Sequence, residues 1–185
     1  KIVRLNDDGT VPQQNPFQGK GELAKTFWTT GHRNPLGIAF DQKNNLWANE
    51  MGPRHGDELN LIVAGSNYGW PLVSEGNHYS GALIPPHETR PDFASPVAYW
   101  VPTLAPSGLT FYIGNEFKNW EGHALLGGLK GKSLVRLKLT DQKVIEEERF
   151  SWRVRVRDVE VQKNGLIWVI EDGSDARLIK FSSPD

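Results

Sequence analysis

Apolar positions in this chain fall in short runs, each bounded by Gly, Pro, Asn or Asp. Leu36, Ile38 and Phe40 alternate with other residues, the period-two pattern of a strand, and Leu46-Trp47-Ala48 forms a second run after the polar turn Asp41-Gln42-Lys43-Asn44-Asn45. Together they predict a β-hairpin. Polar segments flank it at both ends. His32-Arg33-Asn34-Pro35 leads in, where the proline biases Asn34 to an extended conformation and leaves Arg33 and Asn34 at a strand entrance. Glu50-Met51-Gly52-Pro53-Arg54-His55-Gly56-Asp57-Glu58 leads out, bent by two glycines and a proline and ending in a carboxylate pair.

The hairpin pattern repeats. Ile38-Ala39-Phe40 is echoed by Leu109-Thr110-Phe111 and by Val159-Glu160-Val161, at offsets of 71 and 50 residues. A second run follows each echo: Leu46-Trp47, then Ala124-Leu125-Leu126, then Leu166-Ile167-Trp168. A third run is visible over Leu59 to Val63, Ser133 to Leu139 and Arg177 to Phe181. Antiparallel units repeating at roughly 40 to 50 residues predict an all-β fold, a β-propeller of four-stranded blades. About three blades are expected within residues 1–185, read as one partial propeller domain. Lys1 to Leu5 reads as a strand of a further blade, so the N-terminal blades are expected to lie outside this chain. The stretch from Asn67 to Pro106, rich in Pro, Gly, His and aromatics, predicts a long loop at one mouth of the ring, where function concentrates.

Composition narrows the function classes. A net charge of −1 offers no field to attract nucleic acid or an anionic membrane. No apolar run approaches the roughly 20 residues of a membrane span. With no cysteine, disulfide frameworks and thiolate metal sites are excluded. The five histidines are scattered without an HExxH motif, which reads as polar loop residues rather than a zinc site.

Candidate chemistry therefore rests on cations and hard oxygen ligands. Ser151 to Asp158 alternates strictly, which would set Arg153, Arg155 and Arg157 on one strand face, either solvated, paired with acids or aimed at an anion. Lys130 lies among glycines that let backbone approach a ligand. Arg33, Lys130, Arg155 and Arg157 converging at one mouth would suit a small polyanion such as a multi-carboxylate cofactor. Gly52 and Pro53 carbonyls, with Asp57 and Glu58, are ligands of the type calcium takes, although the EF-hand spacing is absent. Trp70, Tyr99 and Trp100 are aromatics able to stack on a sugar or to pack between blades.

Six motifs in order, GHRNPLGIAFD, EMGPRHGDELNLI, SNYGWP, APSG, GGLKGKSLVRL and RVRDV, resemble the soluble PQQ-dependent aldose and glucose dehydrogenases, six-bladed quinoproteins. The resemblance covers the C-terminal half or so of a member. It implies oxidation of an aldose at C1 to a lactone. Arg33 and Asn34 would hydrogen-bond the quinone side of PQQ, and Lys130, Arg155 and Arg157 its carboxylates and ring oxygens. Gly52 and Pro53 would ligate the calcium on PQQ; Glu58 and the Tyr68 carbonyl resemble ligands of a second, structural calcium. Asp57 and Arg33 would be the catalytic residues here, Asp57 on the substrate side, and Trp100 the sugar-facing aromatic.

Two departures accompany the resemblance. Met51 stands where some members carry a polar residue, and the family's histidine general base falls upstream of Lys1, so this chain alone is expected to be inactive. The family setting is periplasmic. The preferred sugar, the electron acceptor and homodimerisation stay open. Two other readings remain: a calcium-dependent propeller lactonase, which needs no cation cluster, and a non-catalytic binding propeller, in which the four cations would be paired with acids.

Overall fold

The computed structural model describes residues 1–183. Its strands form antiparallel sheets that follow one another along the chain. A short pair, β1 (Ile2–Val3) and β2 (Phe27–Thr29), comes first. Next is a four-stranded meander of β3 (Pro35–Phe40), β4 (Leu46–Glu50), β5 (Asp57–Ile62) and β6 (Ala98–Trp100). A second meander comprises β7 (Pro106–Phe111), β8 (Ala124–Gly128), β9 (Ser133–Thr140) and β10 (Lys143–Ser151). The last sheet holds β11 (Arg155–Val161), β12 (Ile167–Asp172) and β13 (Leu178–Phe181). Successive meanders whose first strands lie side by side, β3 against β7 and β7 against β11, are the blades of a partial β-propeller.

The core lies between blades. Trp47, Leu59, Trp100, Leu104, Leu109, Phe111 and Leu137 fill the space between the first and second. Tyr112, Leu125, Leu134, Val156, Val159 and Ile167 fill that between the second and third. In β8, Ala124 and Leu126 turn toward the first blade while Leu125 turns toward the third, as strand alternation dictates. A strand covered on both faces reads as an unbroken apolar run.

Near the axis the blades meet through backbone. A Cβ on Gly37 would fall 2.7 Å from the Ser107 carbonyl oxygen and 2.7 Å from Leu109 Cβ, and one on Gly127 only 2.9 Å from the Val156 carbonyl oxygen. Side-chain hydrogen bonds then lace the inner strands together. Asn49 Nδ2 donates to the Ser107 carbonyl (2.9 Å), and Ser107 Oγ donates to the Val156 carbonyl (2.8 Å).

Several expectations need correction. The uninterrupted alternation from Ser151 to Asp158 is broken: β10 ends at Ser151, residues 152–154 turn, and a register shift between Val156 and Asp158 leaves both Arg157 and Asp158 exposed. Arg153 therefore does not share the face of Arg155 and Arg157. The stretch from Asn67 to Pro106 is not all loop, since it contains β6 and a helical turn at His87–Thr89. The run of acids in β10 escapes the pattern because this outer strand is largely solvated. Lys1 to Leu5 is strand only over Ile2–Val3.

The axial packing sets the first expected outcome. Gly37→Ala pushes a methyl into backbone, and overpacking of this kind costs about 1–3 kcal/mol. Urea denaturation should show that loss, while Gly19→Ala, with nothing within 4 Å of its added methyl, should leave the midpoint unchanged.

Candidate cofactor and metal site

Strand register brings the predicted site residues to one end of the blades. Pro35 pairs with Glu50, Glu50 with Glu58, Pro106 with Gly128, Gly128 with Ser133, and Arg155 with Asp172. The segments before β3, between β4 and β5, between β8 and β9 and before β11 therefore sit at the same ends of their sheets. The bonds from Asn49 to Ser107 and from Ser107 to Val156 place those ends side by side. Arg33, Asn34, Gly52, Pro53, Lys130 and Arg155 share this mouth, with Arg157 just inside it.

Among the described residues Arg33 is held without an acid. Its Nη1 donates to the Met51 carbonyl (3.0 Å) and its Nη2 to the Tyr79 hydroxyl (3.2 Å). The guanidinium carbon lies 5.5 Å from the Trp70 ring and 5.9 Å from the Tyr79 ring, within cation–π range. Below it, Glu50 anchors the backbone. This carboxylate accepts from Arg33 N (2.6 Å), Asn34 N (3.3 Å), His32 Nδ1 (2.7 Å) and Asn60 Nδ2 (3.1 Å).

Glu58 faces Glu50 directly across the β4–β5 ladder, and like charges in that arrangement repel. Asn60 Nδ2 bridges them, at 3.1 Å from each, while Asn60 Oδ1 is buried without a partner. Burial and the charge of Glu50 push the Glu58 carboxyl up to about 8. Glu50, Glu58, Tyr68, Gly31 and Gly52 line a hollow of about 10 Å³, roughly the room one ion or water takes. The Tyr68 carbonyl accepts from His87 Nε2 (3.0 Å), and His87 Nδ1 meets Glu75 (3.1 Å). Glu50, Asn60, Glu75 and His87 are absent from the sequence-based site. For Glu50 and Asn60 the signal was an acid and an amide at strand positions that are otherwise buried; Glu75 and His87, off the strands, carried none.

Asp57 is a fastening point, 1% exposed. It accepts from Gly52 N (3.1 Å), Thr103 Oγ1 (2.6 Å), Leu104 N (2.7 Å) and Ala105 N (2.7 Å). It thus ties the Gly52-Pro53 bend to the segment that enters β7. The Gly52 and Pro53 carbonyls accept no hydrogen bond from protein among the described residues, so both are available as ligands.

The remaining cations divide. Arg155 and Arg157 both pair with Asp172, each at 2.8 Å, and stay about half exposed. Among the described residues neither Arg33 nor Lys130 has a carboxylate partner. One expectation fails. Trp100 is 3% exposed, packs in the core with Trp47 and Leu104, and donates its indole N–H to Glu147 (3.1 Å), so no sugar can reach it. Of the histidines, His32 and His123 are loop residues and His87 lies in the helical turn, and all three are buried and hydrogen-bonded.

Fold and strand register together define part of a β-propeller with cations and hard oxygen ligands gathered at one mouth. A crystal structure of a glucose dehydrogenase superposes with a TM-score of 0.93 at 39% identity, over 100% of this chain and 55% of that one. The PQQ-bound form of an aldose sugar dehydrogenase from Streptomyces coelicolor matches with a TM-score of 0.74 at 30% identity, over 97% of this chain and 51% of that one. The aldose sugar dehydrogenase YliI of Escherichia coli is 39% identical over 98% of this chain and 50% of its own length. Residues 1–180 match the model of the Glucose / Sorbosone dehydrogenase family, and the chain belongs to that family. It spans about half the length of the curated relatives it matches.

The state of Glu58 gives a pH dependence with a definite sign. Its folded-state value, about 8, lies above the ordinary 4.5, so its stabilising contribution is complete below about pH 4.5 and is lost as pH rises through 8. In chelator, the urea midpoint should fall between pH 5 and pH 9, and Glu58→Gln should flatten that fall. A slope identical in both proteins would contradict the assignment.

Proposed function

We propose that this chain supplies the cofactor and calcium site of a PQQ-dependent dehydrogenase that oxidises an aldose at C1 to the lactone. The observation that carries the reading is the gathering of Arg33, Lys130, Arg155 and Arg157 at one mouth with Asp172 as the only carboxylate paired to them among the described residues. A binding propeller with four neutralised cations would have required more acids there. A lactonase would have required none of the cations.

The residues present fit both groups. Lys130, Arg155 and Arg157 offer charge-assisted donors to carboxylates, and Asn34 an amide to the quinone side. The free Gly52 and Pro53 carbonyls are hard ligands for the calcium beside the cofactor. Glu58, with the Tyr68 carbonyl, suits a second calcium at the small hollow, where the facing Glu50 and Glu58 carboxylates call for a cation. When bound, PQQ supplies the hydride acceptor and its calcium the Lewis acid that polarises it.

Arg33 uses two of its five N–H donors on Met51 and Tyr79, which leaves the others to stabilise negative charge developing at the mouth. Asp57 acts as a positioning residue, holding Gly52 and the 103–105 backbone in register. The general base, a histidine by family resemblance, belongs to the part of the ring outside these residues, along with the remaining N-terminal blades. A periplasmic setting and an electron acceptor belong to the same reading; among the described residues no helix is long and apolar enough to cross a membrane.

Mixing PQQ and calcium with a full-length ring that carries these residues should give cofactor absorbance co-eluting with protein. Lys130→Ala and Arg155→Ala should each weaken PQQ binding about tenfold or more, the effect of losing one charge-assisted bond. Absence of co-elution from the parent protein would defeat the reading. The 185-residue chain assayed with PQQ, calcium and glucose should give no turnover.

A further inference from the structure

With Trp100 in the core, the aromatic wall that a sugar needs has to come from elsewhere at the mouth. Residues 77–82 form a tight turn, closed by His78 N to the Ala82 carbonyl (2.9 Å) and Gly81 N to the His78 carbonyl (2.9 Å). Arg54 N donates to the Asn77 carbonyl (3.2 Å), which fastens the turn beside Pro53. Tyr79 projects from it and is 73% exposed.

An exposed tyrosine ordinarily leaves its hydroxyl to water. This one accepts a hydrogen bond from Arg33 Nη2 (3.2 Å), and its ring centroid lies 5.9 Å from the guanidinium carbon, which Trp70 also approaches. Because the phenol oxygen is the acceptor, its own O–H stays free to donate. The two aromatics differ in burial: Trp70 is half-buried and braces Arg33 from within, whereas Tyr79 presents a ring and a donor outward. An apolar face beside a fixed hydroxyl matches a pyranose, which offers C–H bonds on one side and acceptor oxygens at its edge. A neutral donor at the outermost position does not match the polyanion gripped by the cations.

We propose that Tyr79 is the specificity-determining wall for the sugar, its ring stacking on the pyranose and its Arg33-held hydroxyl donating to a sugar oxygen. The assignment rests on the dehydrogenase reading above and names the substrate-facing residue of that site.

The test uses the full-length ring loaded with PQQ and calcium, with glucose as the probe. Tyr79→Phe should raise KM about tenfold, the loss of one hydrogen bond to substrate, with kcat within about twofold of the parent. Tyr79→Ala, which also loses the ring, should raise KM further, and PQQ affinity should be unchanged in both. Parent-like KM in both variants overturns the proposal while leaving the dehydrogenase reading intact. Weakened PQQ binding with unchanged KM also overturns it, since Tyr79 would then belong to the cofactor. A parent ring that binds PQQ but oxidises no aldose overturns the dehydrogenase reading and the sugar wall with it.

Discussion

The carboxylate of Glu50 is the constraint on which the mouth of this structure depends. It is 3% exposed, at the end of β4, and gathers donors from His32, Arg33, Asn34 and Asn60. A buried donor left without its acceptor costs about 1–3 kcal/mol, so four donors on one carboxylate fix the chain entering β3 firmly. Arg33 and Asn34 are thereby held by their backbone, and their side chains need no local acid to orient them. The same charge, set opposite Glu58, creates a local excess of negative potential that burial amplifies. Glu50 thus organises a cationic surface above it and a cation-seeking hollow beside it.

That arrangement is useful only if cations far apart along the chain arrive together, and the blade interfaces ensure it. Glycine at 37 and 127 lets neighbouring inner strands approach until side-chain atoms of one touch backbone of the next. Asn49 and Ser107 then lock their relative height. A shift of one blade along the axis would break these bonds and move Lys130 and Arg155 away from Arg33 in the same step. Stability at the axis and geometry at the mouth are consequences of one packing.

Much of this was legible in the chain and some was not, for identifiable reasons. Alternation located β3, and unbroken apolar runs located β4, β8 and β12, because the pattern reports how many faces of a strand are covered. It does not report what covers them. Trp100 therefore read equally as a sugar-facing or a blade-packing aromatic until the second blade was laid against it, and the burial of His32 and His87 was hidden until Glu50 and Glu75 were placed beside them. The cations were found from the segments they occupy, since strand entrances on successive blades share one end. Glu50 was missed because it becomes the neighbour of Glu58 only through register. The bulge at Val156 was likewise invisible, since inserting one residue leaves the alternation of letters intact while turning Arg157 and Asp158 outward.

The pairing of Arg155 and Arg157 with Asp172 raises the question of whether these cations are already spent. Two guanidinium groups on one carboxylate keep a net positive charge, and half-exposed ion pairs contribute little to stability, about 0–1 kcal/mol each. Their effect is on order. An arginine free in solvent loses up to about 2 kcal/mol of rotamer freedom when a ligand fixes it. Asp172 holds both side chains toward one point beforehand, which removes part of that cost while leaving most of their N–H donors unused. Lys130, on a glycine-flanked turn with no carboxylate partner among the described residues, would form the adaptable side of such a grip. A rigid pair facing a mobile cation suits a flat polyanion better than four fixed charges would, because the last contact can adjust after the first ones have set the plane.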